Sequence, residues 1–168
     1  EDIGVFNIIK DLSVIKIWYQ NHLGTNNNIV DYWLTEGCDY VILSSDITEQ
    51  KIRDISNLYP QKVITNIFGY QNIMYAKRNL LSSYNQFYHL QSPTKLTIDD
   101  QHNLVHFKVY EEEAGTTFFP RNIYNGLSLL QNDNIAYYII NSFDIEIKML
   151  NLLQSIKKNK IMAIENNM

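Results

Sequence analysis

A chain of 168 residues is long enough for one domain, 1–168, whose core buries roughly two-thirds of its unfolded surface. Its 14 Lys and Arg against 18 Asp and Glu give a net charge of −4, which excludes a uniformly basic nucleic-acid binder but not a local basic patch. A single cysteine, Cys38, excludes a disulfide framework and a self-contained thiolate cluster, and at the entry of an apolar run it reads as a small buried residue.

The opening "EDIGVF" has no methionine and predicts a fragment or a processed chain. "VIKIWY" (Val14 to Tyr19) is a short apolar, β-branched and aromatic run, the pattern of a strand buried on both faces. A helix is predicted from Asn27 to Glu36, with Ile29, Val30, Trp33 and Leu34 on one side and Gly37 as its stop. "YVILS" gives a second strand. The helix after it has Asp46 and Glu49 at capping-box spacing, an Ile52, Ile55 and Leu58 stripe, and Pro60 at its end. "KVITNIF" is a third strand, and βαβαβ is the pattern of a parallel sheet.

"KLTIDDQHNLVHFKVYEEEAGTTFFP" reads instead as antiparallel strands around a turn at Asp99 to Asn103. Ile123, Leu127 and Leu130 then fall at helical spacing, "IAYYIIN" is a fourth core strand, and "DIEIKMLNLLQSIKK" is the clearest helix. The basic tail is expected to fray. Four βα-type units are half of a (β/α)₈ barrel, which takes ~250 residues when complete. The fold is therefore either a small open α/β sheet or half of a TIM-like barrel with an inserted antiparallel β-hairpin. No apolar run approaches the ~20 residues of a membrane span, so no membrane partner is expected and a cytoplasmic setting is.

Lys77 and Arg78 stand side by side in "FGYQNIMYAKRNLLSSY", just beyond the third strand. The carboxyl ends of parallel strands form the ligand-facing edge of such sheets, where cations serve carboxylates and phosphates. Tyr70 and Tyr75 flank the pair and offer faces for unpaired bases, whereas most of the 12 tyrosines read as packing. The bland alternative is that both cations open a helix in water. Arg53 and Arg121 are secondary candidates, the former on a solvated helix face.

The same stretch resembles the signature segment of the collagenase-like peptidase family U32, in which a strand ends in glycine before a short apolar run, a basic step and "LL". "LGTNNNIVDYWLTEGCDYVILSSDITEQKIRDI" and the acidic–Gly–Thr step of "EEEAGTTFF" are similar to that family too, and the likeness runs from about Leu12 to Met149. The resemblance implies the C-terminal half of the family's barrel, with the N-terminal half absent from this chain. It further implies a component of a prephenate-dependent tRNA wobble-uridine hydroxylation system, with a U32-type protease or a non-catalytic interaction subunit as alternatives. Prephenate is the implied co-substrate. The implied partners are tRNA and a paralogous subunit or a second copy. Glu112 and Thr116 enter as site candidates through the resemblance alone. Family members with an iron–sulfur cluster carry cysteines where this chain has Asn72 and Asn79, so no cluster is expected here, and the chain is similar to the short, cysteine-poor paralogue of Gram-positive bacteria.

Other constellations are weaker. Cys38 has no histidine nearby in sequence, and Ser44 and Ser45 in "LSSD" read as helix-capping residues rather than nucleophiles. His102 and His106 are four apart, but "HNLVHFKVY" alternates as a strand, which would separate them by ~13 Å, so no metal site is expected. The Glu111 to Glu113 run reads as a solvated hairpin edge that blocks aggregation.

Overall fold

The computed structural model describes residues 2–20, 23–91, 93–100, 105–146, 148, 151 and 161–164. It is a mixed α/β structure with two sheets, and neither closes into a barrel. Four α-helices, α1 (Ile3–Ile9), α2 (Asn27–Thr35), α3 (Glu49–Leu58) and α4 (Leu80–Tyr88), occur among the described residues. None of these helices is long and apolar enough to cross a membrane.

The first sheet contains β1 (Ile17–Trp18), β2 (Tyr40–Ile42), β3 (Val63–Gly69), β9 (Ile135–Asn141) and β10 (Ile161–Ile164), parallel and in that order. The second is antiparallel, in the order β4 (Met74–Ala76), β7 (Gly115–Pro120), β6 (Val105–Glu112) and β5 (Lys95–Asp100). All four of its strands lie between β3 and β9 in sequence, so the antiparallel sheet is an insertion into the parallel one.

Side-chain alternation along the parallel strands makes two apolar faces. Val41, Leu43, Val63, Ile67, Tyr138 and Ile140 join the inner faces of α2 and α3 in the main core, where Val30 and Ile55 are fully buried. Each fully buried aliphatic side chain stabilises the fold by ~1.5–3 kcal/mol. Trp18 stacks on Trp33 at 3.4 Å between ring centroids, and Phe6 of α1 meets both edge-on. Ile42, Ile64 and Ile139 form a smaller cluster with Tyr40 and Tyr137.

Several elements differ from the sequence expectation. The Val14 to Tyr19 strand shrinks to the two residues of β1, which among the described residues pairs with β2 alone and forms an edge of the sheet; Val14, Ile15 and Ile17 are exposed. Thr48, not Asp46, caps α3 by accepting from the Lys51 amide, because Asp46 is held in the preceding turn by Ser44, whose hydroxyl accepts from the Asp46 amide. The helix expected after Pro120 is absent: β8 (Tyr124–Asn125) pairs antiparallel with β3, and only a 3₁₀ turn, Leu127–Gln131, follows. The tail is not frayed throughout, since β10 pairs with β9. Of the turn expected over Asp99 to Asn103, Asp99 and Asp100 belong to β5, and the remainder, His102 included, lies outside the described residues, as does most of the helix expected after Asp144.

Candidate functional site

β3 ends at Gly69, whose φ of +116° is a left-handed conformation. A Cβ there would lie 2.2 Å from the carbonyl oxygen of Asn141, so glycine is what lets β3 and β9 end side by side. The Asn141 side chain completes the junction: its amide donates to the Tyr70 carbonyl at 2.6 Å and its oxygen accepts from the Phe143 amide at 3.0 Å. Beyond it, Asp144 takes a φ of +55° and turns its carboxylate toward the inserted sheet.

That carboxylate accepts from Lys95 Nζ at 2.8 Å, from Lys108 Nζ at 3.0 Å and from the Tyr110 hydroxyl at 2.9 Å. Lys108 also reaches the Tyr70 hydroxyl and lies 4.2 Å from the centre of its ring, while Lys95 lies 4.7 Å from that of Tyr110. Phe119 and Phe143 stack at 4.9 Å beneath the charges. Strands far apart in sequence thus meet at the carboxyl edge of the parallel sheet. Hydrogen bonds from Lys95 hold the Asp144 carboxyl down at about 2 against the effect of burial, with help from Lys108 and Tyr110. For Lys108, burial alone would lower the pKa, and its bonds to Tyr70 and Asp144 raise it instead; Lys95 is raised chiefly by its bond to Asp144. Every shift runs away from neutrality. At physiological pH the cluster is a fixed charge clamp and neither a proton donor nor a nucleophile.

The cation pair has a different setting. Lys77 and Arg78 follow β4 and precede α4, both exposed, and neither side chain has a hydrogen bond or ion pair among the described residues. Cations ahead of a helix N-terminus oppose its dipole. Glu111 of β6 offsets them: its buried carboxylate accepts from the amides of Leu81 at 2.6 Å and Ser82 at 2.9 Å, and from the Ser82 hydroxyl. Burial alone would push this carboxyl up, but the bonds from Ser82, Thr116 and Leu81 outweigh it and hold it below its ordinary value. Thr116, fully buried, accepts from the Leu80 amide at 2.9 Å, with the Arg78 carbonyl and the Glu111 carboxylate each 2.9 Å from its hydroxyl.

The structure brings some of the predicted residues together and separates others. Tyr70 and Tyr75 do not form a pair around the cations. Tyr70 is buried against Lys108 and Phe119, whereas Tyr75 is half exposed and donates its hydroxyl proton to the Ala114 carbonyl. Thr116 supports the start of α4 and Glu112 is exposed beside the β6–β7 turn. Glu111 is not part of a solvated edge, as its run suggested in sequence. Arg53, half-buried, donates to the Ser128 carbonyl at 3.1 Å and ties α3 to the 3₁₀ turn. Arg121 is exposed.

Cys38 is buried, and burial pushes its thiol up, the reverse of an activated nucleophile. His106 Nδ1 lies 2.5 Å from Asp99 across the β5–β6 pair. Among the described residues no group of His, Cys, Asp and Glu could hold a metal ion. Sequence reasoning missed Lys95, Lys108, Tyr110 and Asp144. No family profile, curated protein or solved structure matches the chain.

Proposed function

We propose that the chain is a component of a prephenate-dependent tRNA wobble-uridine hydroxylation system on a U32-type frame, in which it holds RNA phosphate on Lys77 and Arg78. The observation that carries this reading is the exposed cation pair, without a partner among the described residues, on a segment held by Glu111 and Thr116. Unpaired surface cations suit a solvated phosphate better than a small carboxylate enclosed in a pocket. Two stretches that carry the U32 resemblance, "AKRNLLSS" and "EEEAGTT", also touch, through Glu111, Thr116 and the head of α4. In this reading the parallel sheet is the C-terminal half of a barrel and the antiparallel sheet its insertion. Sequential parallel strand order is what a barrel requires, and the apolar edge at Val14, Ile15 and Ile17 is where a preceding half or another U32-type subunit would pair.

The amide side chains of Asn72 and Asn79 supply no thiolate, so these two positions do not fit an iron–sulfur cluster, and the redox chemistry is assigned to a cysteine-bearing partner. The rival protease reading lacks an activated nucleophile at Cys38.

Nucleoside mass spectrometry of bulk tRNA tests the proposal in a strain lacking this gene and its paralogue. Complementation with both genes should restore 5-hydroxyuridine derivatives. The Lys77→Ala, Arg78→Ala double variant should not, while its melting temperature stays within about 2 °C of wild type, as for other exposed substitutions. Unchanged modification in the deletion strain would overturn the proposal.

A further inference from the structure

The antiparallel sheet has one face packed under α4, where Val109, Glu111 and Thr116 are buried. Its other face carries a row read across all four strands: Tyr75 pairs with Thr117, Thr117 with Tyr110, and Tyr110 with Lys95. Cross-strand partners lie on one face with Cβ atoms about 5 Å apart. Behind Tyr75 is a cavity of about 20 Å³, lined by Tyr110, Phe143, Thr117, Glu112 and Gly115. That volume is about one water molecule, too small for a ring to enter.

Tyr75 is 51% exposed, and its hydroxyl is tied to the Ala114 carbonyl. One flat aromatic face is thus held still and open to solvent, so little side-chain freedom remains to be lost on stacking. The chain runs on beside Gly115, whose built Cβ would lie 2.3 Å from the Ala76 carbonyl oxygen and 3.1 Å from Lys77 Cα. Lys77 follows Tyr75 by two residues, in the bend that leaves β4, with its backbone close against Gly115.

We propose that the exposed ring of Tyr75 is a stacking platform for an unpaired base, and that Lys77 takes an adjoining phosphate. The inference rests on the phosphate-binding reading above and adds to it the side chain that takes a base of single-stranded or loop RNA. A base held inside a duplex cannot present its face to a side chain fixed against a sheet, whereas a splayed base can. Tyr84, Phe87 and Tyr88 on α4 are exposed aromatics too, but Tyr88 contacts both of the others, at 4.6 Å and 4.8 Å between ring centres.

Fluorescence anisotropy with the whole chain tests this, using labelled oligouridylate and a blunt RNA duplex at low salt. Tyr75→Ala should weaken oligouridylate binding by about tenfold and leave duplex binding unchanged. Tyr75→Leu, which keeps apolar bulk without a π face, should lose as much, and Tyr75→Trp should bind at least as well as wild type. Melting curves of the three variants show whether the fold is kept, and Tyr75→Trp keeps the test decisive if the smaller side chains unfold.

Equal losses on both RNAs would overturn the platform. So would a loss with Phe87→Ala but not with Tyr75→Ala. If Lys77→Ala with Arg78→Ala abolishes binding while every Tyr75 variant binds normally, the phosphate reading stands and the platform falls. If the wild-type chain binds neither RNA, both fall.

Discussion

Asp144→Asn isolates the charge that pins the exit of β9 to the inserted sheet. Asn tolerates the left-handed φ of +55° as Asp does, so the exchange leaves the backbone alone. The carboxyl sits at about 2 against an ordinary 3.8, nearly two units; at 1.36 kcal/mol per unit this is an upper figure of about 2.5 kcal/mol. The Asp144 side chain is 29% exposed and that of Lys95 57%, so solvent screening reduces the net effect to about 1 kcal/mol. In a domain of this length that is about 2–4 °C in melting temperature.

The sign of the pH dependence follows from the direction of the shift. A depressed carboxyl stabilises the fold above its unfolded value of 3.8, and that contribution is lost as pH falls toward about 2. Urea denaturation near neutrality should therefore show the variant less stable, with the gap closing between pH 3.8 and about 2 and shrinking in high salt. Asp144→Ala should cost about 1 kcal/mol more than Asp144→Asn, the additional term being backbone strain. Equal stability of wild type and Asp144→Asn near neutrality would refute the clamp, as would a gap independent of pH.

Two further substitutions test the frame. Glu111→Gln turns an amide donor toward a helix start that already presents donors, and should cost about 2–3 kcal/mol in urea denaturation, with lost hydrogen-exchange protection at Leu81 and Ser82. Unchanged protection there would show that another group caps α4. Gly69→Ala places a methyl group 2.2 Å from the Asn141 oxygen at a φ of +116°; it should destabilise by more than about 2 kcal/mol, and a melting temperature equal to wild type would refute the close approach.

What the sequence revealed follows from where its constraints are local. β2, β3 and β9 were legible because strands covered on both faces are largely apolar, and α2 because Ile29, Val30, Trp33 and Leu34 mark its face and Gly37 its stop. β1 misled for a related reason: an apolar run does not state whether a second strand will cover it, and here none of the described residues does. Thr48 and Asp46 are both good caps by residue type, and the choice was made by Ser44, two residues from Asp46. The Asp144 clamp was illegible because its lysines lie 49 and 36 residues away, and a charge pair at that separation leaves no periodic trace. Glu111 did leave a trace. It shares strand parity with Val109, the buried side of β6, whereas Glu112 shares that of Tyr110; an acid on an apolar face must find donors, and "NLLSS" supplies a helix start whose free amides have no side-chain cap of their own.

That placement links the fold to the proposed chemistry. A cation pair on a freely moving segment would lose much of its attraction for phosphate in ordering two long side chains and their backbone. Here the backbone is already ordered. Thr116 lies 2.9 Å from the Arg78 carbonyl and holds the Leu80 amide, and Glu111 holds the next two amides, so the segment after β4 is fixed from two strands at once. The same carboxylate answers the helix dipole that Lys77 and Arg78 would otherwise oppose, which leaves both cations free of any partner within the described chain. A buried acid whose bonds are all internal, beneath exposed bases that have none, is an arrangement for holding an anion in place. It is not one for moving a proton, because the Glu111 carboxyl is held below its ordinary value and the Asp144 carboxyl near 2.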